Sequence, residues 1–305
     1  MPDKESYDIV APRASALIES LRAFSYDLPS AIADLVDNSI TAQAENVWID
    51  FHWNGEDSAI VISDDGLGMS EDQLVAAMRP GSRSPTDKRD ALDLGRFGLG
   101  LKTASFSQCR RVTVTSKRLG GASATRRWDL DHVAAVDQWQ LLRDGDERSR
   151  LLSAKLEALP HGTVVVWQAL DRVTTGHGPQ SDVGQRAFHD AAAGVERHLA
   201  LVFHELMRGR DRVVIHLNDR PVEPWDPYMA EHPATQVLPR TELSLRDAKV
   251  DVQPFVLPHH SKLKDAEFRA GAGTRGWNAH QGFYVYRRKR LLVAGDWLGF
   301  GWARE

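Results

Sequence analysis

The chain has 305 residues, of which 42% are hydrophobic and 26% charged, and a net charge of −4. That composition excludes wholesale disorder, and 38 basic against 42 acidic residues exclude a uniformly basic nucleic-acid coat. One cysteine, Cys109, excludes an intrachain disulfide framework and a cysteine zinc cage. Residues 12–24 predict a helix with Leu17, Ile18 and Leu21 on one face. A second helix starts after Pro29-Ser30, with Ser30 as its cap, and carries Ile32, Leu35, Val36 and Ile40 at helical spacing. Strands at 46–53 and 59–63 are joined by the hairpin signal Asn54-Gly55. Ser70 caps a short helix that runs to Met78. Residues 79–97 are rich in Gly, Ser, Pro, Asp and Arg and have no apolar period, the mark of a long loop that acts as a lid. A helix from Gly100 to Gln108 follows, then strands at 111–116, 124–129 and 162–168. The polar stretch 174–182 reads as a connection between domains, and a long helix over 184–207 opens the second half. That half continues with a strand at 213–217, a turn at Asn218-Asp219, and a hairpin of 282–286 with 291–294.

Four segments carry the chemistry. In Asp34-Leu35-Val36-Asp37-Asn38-Ser39, the spacing of four puts Asp34 and Asn38 on one helical face, where carboxylate and amide oxygens suit a hard cation and an activated water. Ser63-Asp64-Asp65-Gly66-Leu67-Gly68-Met69 follows a strand; its glycines admit a flat ligand, and a strand-end Asp can accept from an exocyclic amine. Gly95-Arg96-Phe97-Gly98-Leu99-Gly100-Leu101-Lys102-Thr103 leads into a helix N-terminus, an anion cradle. Gly162-Thr163-Val164-Val165-Val166-Trp167 is a strand with a leading Thr. Taken singly, each has a plainer reading: a solvated helix face, an Asp-Gly turn, a glycine-rich loop, a buried strand.

Together and in this order, they resemble the Bergerat-fold ATPases, the GHKL superfamily of DNA gyrase B subunits, heat-shock chaperones, sensor histidine kinases and MutL. The resemblance is strongest to MORC-type ATPases and their bacterial relatives, through the Asp-Asn-Ser helix, the glycine-loop lysine and the hairpin Gly282-Phe283-Tyr284-Val285-Tyr286-Arg287. It implies an α+β fold: a Bergerat-type α/β sandwich over residues 1–175, then a β-α transducer-like domain over 176–305. It also implies ATP and Mg²⁺ as cofactors. Asn38 would hold the Mg²⁺. Asp64 would bind the adenine amino group, with Thr163 helping through water. Gly66 and Gly68 would let the base lie on the backbone, and Met69 would line its pocket. Gly95, Phe97, Gly98, Leu99, Gly100, Leu101 and Lys102 would wrap the phosphates, with Ser82 in the ATP lid. A lid of this kind should resist proteolysis once a non-hydrolysable ATP analogue and Mg²⁺ are bound.

The chain departs from the family at Asp34, where a Glu usually orients or deprotonates the attacking water. Asp is shorter by one methylene, about 1.5 Å, and about 1 Å of misplacement can cost roughly 100-fold in rate. Asp34 is therefore the expected but slow catalytic carboxylate. In relatives the second domain returns a lysine to the γ-phosphate; here Lys262 and Lys264 are the candidates. The expected function is a slow, Mg²⁺-dependent ATPase that clamps as an ATP-dependent homodimer, in DNA-related or phage-defence settings. A non-hydrolysing ATP-gated switch or scaffold is the alternative, with chaperone and protein kinase behind it. DNA would meet local basic clusters: Arg110-Arg111, Lys117-Arg118, Arg126-Arg127, Arg208-Gly209-Arg210 and Arg287-Arg288-Lys289-Arg290. Partner proteins would supply the output of a two-domain ATPase, unless the chain is the N-terminal part of a longer one. No run of about 18 apolar residues and no basic-then-apolar leader is present, so the cytosol is the expected compartment.

Overall fold

The computed structural model describes residues 8, 12–23, 26–80, 100–174, 176–245 and 248–299. They form two compact units. One is 1–198 with 209–222; the other is 199–208 with 223–305. The expected division at residue 175 is thus displaced, because the first unit also takes most of the long helix and a further pair of strands.

The first unit opens with α1 (Ala14–Arg22) and α2 (Leu28–Thr41). Ala14, Ile18 and Arg22 form the buried stripe of α1, whereas Leu17, expected on that face, is exposed. Arg22 can be buried because its guanidinium donates to the carbonyls of Phe106 (2.9 Å) and Cys109 (2.8 Å) and pairs with Asp171. The cap of α2 is Asp27, not Ser30: its carboxylate accepts the Ser30 N–H at 2.7 Å, and Pro29 sits in the first turn.

Next come β1 (Asn46–His52), β2 (Ala59–Asp64), α3 (Glu71–Met78), α4 (Gly100–Gln108), β3 (Arg111–Lys117) and β4 (Ala124–Asp129). Ser70 and Gln73 form a reciprocal capping box at α3. The short helices α5 (Leu130–Val136), α6 (Glu147–Leu152) and α7 (Lys155–Ala158) were not expected; at four to seven residues they carry no readable period. After β5 (Gly162–Gln168) and α8 (Asp182–Val202), the strands β6 (Val214–Leu217) and β7 (Arg220–Pro221) complete the unit. Asn218 and Asp219 turn that hairpin with φ of 48° and 62°, the left-handed conformation that Asn and Asp tolerate.

The seven strands lie in the order β4-β3-β5-β2-β1-β6-β7. Every pairing is antiparallel except β1 with β6. This is the α/β sandwich of the expected fold class. β2 and β5 are buried along their whole lengths because both faces are covered. On one face, Val61, Val164 and Val166 pack on Leu156 of α7 with Leu152 and Leu159. On the other, Trp167 donates its indole N–H to Ser105 of α4 at 2.8 Å, and Phe106 meets Trp128 edge to face. Cys109 is a buried free thiol, and burial pushes its pKa up.

The second unit holds β8 (Gln236–Val237), β9 (Thr241–Leu245), β10 (Ala248–Val252), β11 (Phe255–Val256), α9 (Asp265–Ala272), β12 (Phe283–Arg287) and β13 (Arg290–Asp296). The pair β12–β13 is the expected hairpin; β8 to β11 and α9 were not expected. The expected helix end at Met207 falls short, at Val202: the His204 Nδ1–H donates to the Leu201 carbonyl at 2.6 Å and closes the helix there. That tautomer leaves Nε2 to accept from the Tyr286 hydroxyl (3.2 Å), which accepts from Tyr228 (3.0 Å). Among the described residues, no helix is long and apolar enough to cross a membrane.

Burial holds the His204 pKa below its ordinary value, with the carboxylates of Glu205 and Asp226 opposing and Arg208 assisting. The unfolded chain therefore binds more protons than the fold in this window. His204's contribution is whole at neutral pH and is lost as pH falls below about 6.5. Denaturant midpoints of the second unit should drop between pH 7 and pH 5. Tyr286→Phe should cost about 1–2 kcal/mol at pH 7 by orphaning Nε2; a midpoint unmoved by both changes would contradict the wiring.

Candidate functional site

The expected adenine residues meet where β2 ends and β5 begins. The register pairs Asp64 with Thr163 and Thr163 with Ser116, so three strands bring these side chains to one sheet face. Asp64 is buried. One carboxylate oxygen accepts the Ser39 hydroxyl at 2.9 Å and the other the Gly66 N–H at 3.0 Å. Burial raises the Asp64 pKa, and these two bonds oppose the rise. The Thr163 N–H is a third donor to this carboxylate, and of its four lone-pair sites one is left to accept from an incoming amine. Ser39 lies on the buried face of α2 beside Ile32, Leu35 and Val36; a serine in an apolar stripe signals a buried partner.

A hydroxyl chain continues from Thr163. Its Oγ1 lies 2.8 Å from Ser116 Oγ, which accepts the Met69 N–H at 2.8 Å. The Asp-Gly-x-Gly turn is thereby pinned to β3. Gly68 has φ of +63°, and a Cβ there would stand 1.9 Å from the Lys117 carbonyl oxygen, so no side chain fits. At Gly66 a Cβ would stand 2.8 Å from the Ala42 oxygen. His161 adds a latch, its Nδ1–H donating to the Gly66 carbonyl at 2.6 Å. Ser39, Ser116 and His161 are site residues that the sequence reading did not assign.

Asp65, next to Asp64, is structural. It accepts the backbone N–H groups of Glu45 and Asn46 and the Asn46 side chain, each at 2.8 Å.

On α2, Asp34 is half-buried and Asn38 is exposed, one helical turn apart. The Tyr26 hydroxyl donates to the Asp34 carboxylate, and Gln108 holds the Tyr26 backbone carbonyl at 2.7 Å. Among the described residues, no cluster of three or more His, Cys, Asp or Glu could hold a metal. A cation at Asn38 would therefore need oxygens from a ligand and water.

Gly100, Leu101 and Lys102 form the first turn of α4. The expected phosphate-site residues Gly95, Phe97, Gly98 and Leu99, and the lid residue Ser82, lie outside the described residues. Lys102 is buried, and its ammonium donates to the carbonyls of Ala77 and Arg79, both at 2.9 Å. It ties α4 to the C-terminal end of α3, where a cation meets the negative end of the helix dipole. Lys262 and Lys264 belong to the second unit and are exposed; Lys262 ends a single 3-10 turn, and Lys264 is the N-cap position of α9.

A polar cavity of about 440 Å³ opens elsewhere, at the opposite ends of β3 and β5, beside Arg111, Asp146, Arg148 and Gln168. Most of the expected DNA clusters are committed to ion pairs. Arg110 pairs with Asp131, Arg111 with Asp129 and Asp146, Arg126 with Glu71, and Arg208 with Asp226. Arg288 and Lys289 stay exposed at the β12–β13 turn.

Comparison with known proteins fits this geometry. Residues 26–163 match the family of histidine kinase-, DNA gyrase B-, and HSP90-like ATPases. The ATPase morc-1 of Caenorhabditis elegans is 34% identical over 91 residues, 30% of this chain and 10% of that protein. The DNA mismatch repair protein MutL of Bradyrhizobium diazoefficiens is 30% identical over 137 residues, 45% of this chain and 20% of its own length. The chaperone protein HtpG of Halalkalibacterium halodurans is 34% identical over 97 residues, 29% of this chain and 15% of its own length. The matched part thus spans no more than a fifth of these relatives. The Asp64 turn and the strands β1 to β4 thus lie in a segment, residues 26–163, that is similar to the histidine kinase-, DNA gyrase B- and HSP90-like ATPases.

Proposed function

We propose that the first unit binds ATP with Mg²⁺ and hydrolyses it slowly, and that nucleotide binding gates a homodimeric clamp. The observation that carries this reading is the buried Asp64 carboxylate, oriented by Ser39 and Gly66 beside a turn into which no Cβ fits. A planar base with an exocyclic amine suits that cradle: Asp64 accepts the amine, Thr163 is within reach through water, Gly66 and Gly68 pass the base, and Met69 lines it. Asn38 would hold Mg²⁺, which would neutralise phosphate charge when bound. Asp34, one turn away, would orient the attacking water. The glycine segment ending at Gly100 would wrap the phosphates. Lys102, committed to α3 carbonyls, would hold the two helices that flank residues 81–99. Either Lys262 or Lys264 would serve as the lysine returned to the γ-phosphate. Basic residues at the β12–β13 turn are the remaining candidates for DNA contact in a DNA-related or phage-defence role.

The second reading is an ATP-gated switch that does not hydrolyse. It is favoured by the short Asp34 side chain and by the Tyr26 hydroxyl already bonded to it. Single-turnover phosphate release with excess protein separates the two. The ATPase reading expects release that depends on Mg²⁺, and the switch reading expects binding with no release. Absence of both binding and release would overturn the two together.

A further inference from the structure

In the second unit, β8 pairs with β11 and β9 with β10, which makes a two-stranded arm. Its outer part has two unlike faces. The register places Thr241 and Leu243 with Val250 and Val252 on one face, and Glu242 and Ser244 with Lys249 and Asp251 on the other. The polar face is paired internally, Lys249 to Glu242 at 2.7 Å and Arg240 to Asp251. The apolar face is open: Leu243 is 47%, Val250 41% and Val252 36% exposed. Among the described residues, no other strand pairs with either edge of this ribbon. Two strands alone are marginal in water, and an open edge with an apolar face is a template for another strand.

The order of side chains along β10 selects what fits that edge. Lys249-Val250-Asp251 is self-complementary. In an antiparallel pairing centred on Val250, Lys249 comes opposite Asp251 of a second copy, Asp251 opposite its Lys249, and Val250 opposite Val250. Such pairing is two-fold symmetric and closes. It also makes the apolar faces continuous across both copies. The same operation centred on Leu243 of β9 sets Glu242 opposite Ser244 and makes no charge pair. We propose that the chain self-associates through the β10 edge, joining two strands from each copy into one antiparallel sheet, with no nucleotide required.

Sedimentation equilibrium of the full chain without nucleotide reads this directly, whatever the fate of the ATP assignment. The parent should show a concentration-dependent dimer. Lys249→Asp faces two like charges across the interface twice over and should weaken association at least about tenfold, as should Asp251→Lys. The double variant Lys249→Asp/Asp251→Lys restores opposite charges and should dimerise near the parent level, which separates lost pairing from lost folding. A parent that stays monomeric at the highest attainable concentration overturns the proposal. So does a single reversal that keeps the parent constant, or a double variant no better than the single ones.

Discussion

Asp34→Ala is expected to leave ATP affinity unchanged and to lower single-turnover hydrolysis by roughly 10²- to 10⁴-fold. The residue projects from the same face of α2 as Asn38, one turn earlier, so a water beside a cation at Asn38 lies in its direction and the base pocket does not. Tyr26, whose hydroxyl donates to the carboxylate, would be the positioning residue in this reading; its backbone is anchored on Gln108. Tyr26→Phe should therefore lower kcat with little change in KM, because it removes one of the bonds that orient the carboxylate. Asp34→Glu is the sharper variant. If the shorter side chain leaves a gap to the water, the added methylene should raise the single-turnover rate. If Tyr26 has closed the pocket around Asp34, Glu will clash with the tyrosine hydroxyl, and the combined variant Asp34→Glu/Tyr26→Phe should recover the rate. Parent-rate hydrolysis by Asp34→Ala would assign the water to another carboxylate.

Asp64→Asn is expected to weaken ATP binding by about 10- to 150-fold, the equivalent of roughly 1.5–3 kcal/mol for a hydrogen bond to a charged acceptor. The amide keeps one acceptor oxygen where the carboxylate has two, and the Ser39 hydroxyl and Gly66 N–H already compete for them. Folding should be affected less than binding. Burial raises the Asp64 pKa, so ionising this carboxylate costs the fold stability as pH rises through the raised value. Removing the charge relieves that cost and offsets part of the lost hydrogen bonding. Calorimetry should thus show weak binding in a protein that melts near the parent temperature. Unchanged affinity would remove Asp64 from the base pocket.

The elements that bear the site were legible because each carries its own local signal. The capped turn at Ser70, the hairpin signal at Asn54-Gly55 and the helix from Gly100 to Gln108 stand where the sequence puts them. Asp64 was legible as a strand-end carboxylate before two glycines. Its supports were not, because they are distant in sequence: Ser39 lies 25 residues before it, and Ser116 reaches Thr163 across 47 residues. Ser39 comes to Asp64 from the buried face of α2, and strand register sets Ser116 opposite Thr163. Leu17 misled for a different reason. Arg22, at the end of the same helix, takes the buried place by meeting carbonyls at the end of α4, a tertiary partner that no helical period encodes. The arm from β8 to β11 escaped notice because Pro239 and Pro254 interrupt its alternation.

If the Asp64 turn is the base pocket of an ATP site, bound nucleotide will be found there. A crystal structure of the full chain with a non-hydrolysable ATP analogue and Mg²⁺ tests it most directly. The adenine amino group should lie within hydrogen-bond distance of the Asp64 carboxylate, the ring against Gly66 and Gly68, and the metal beside Asn38. Nucleotide seated instead in the cavity beside Arg111 and Gln168, with the Asp64 turn untouched, would contradict it.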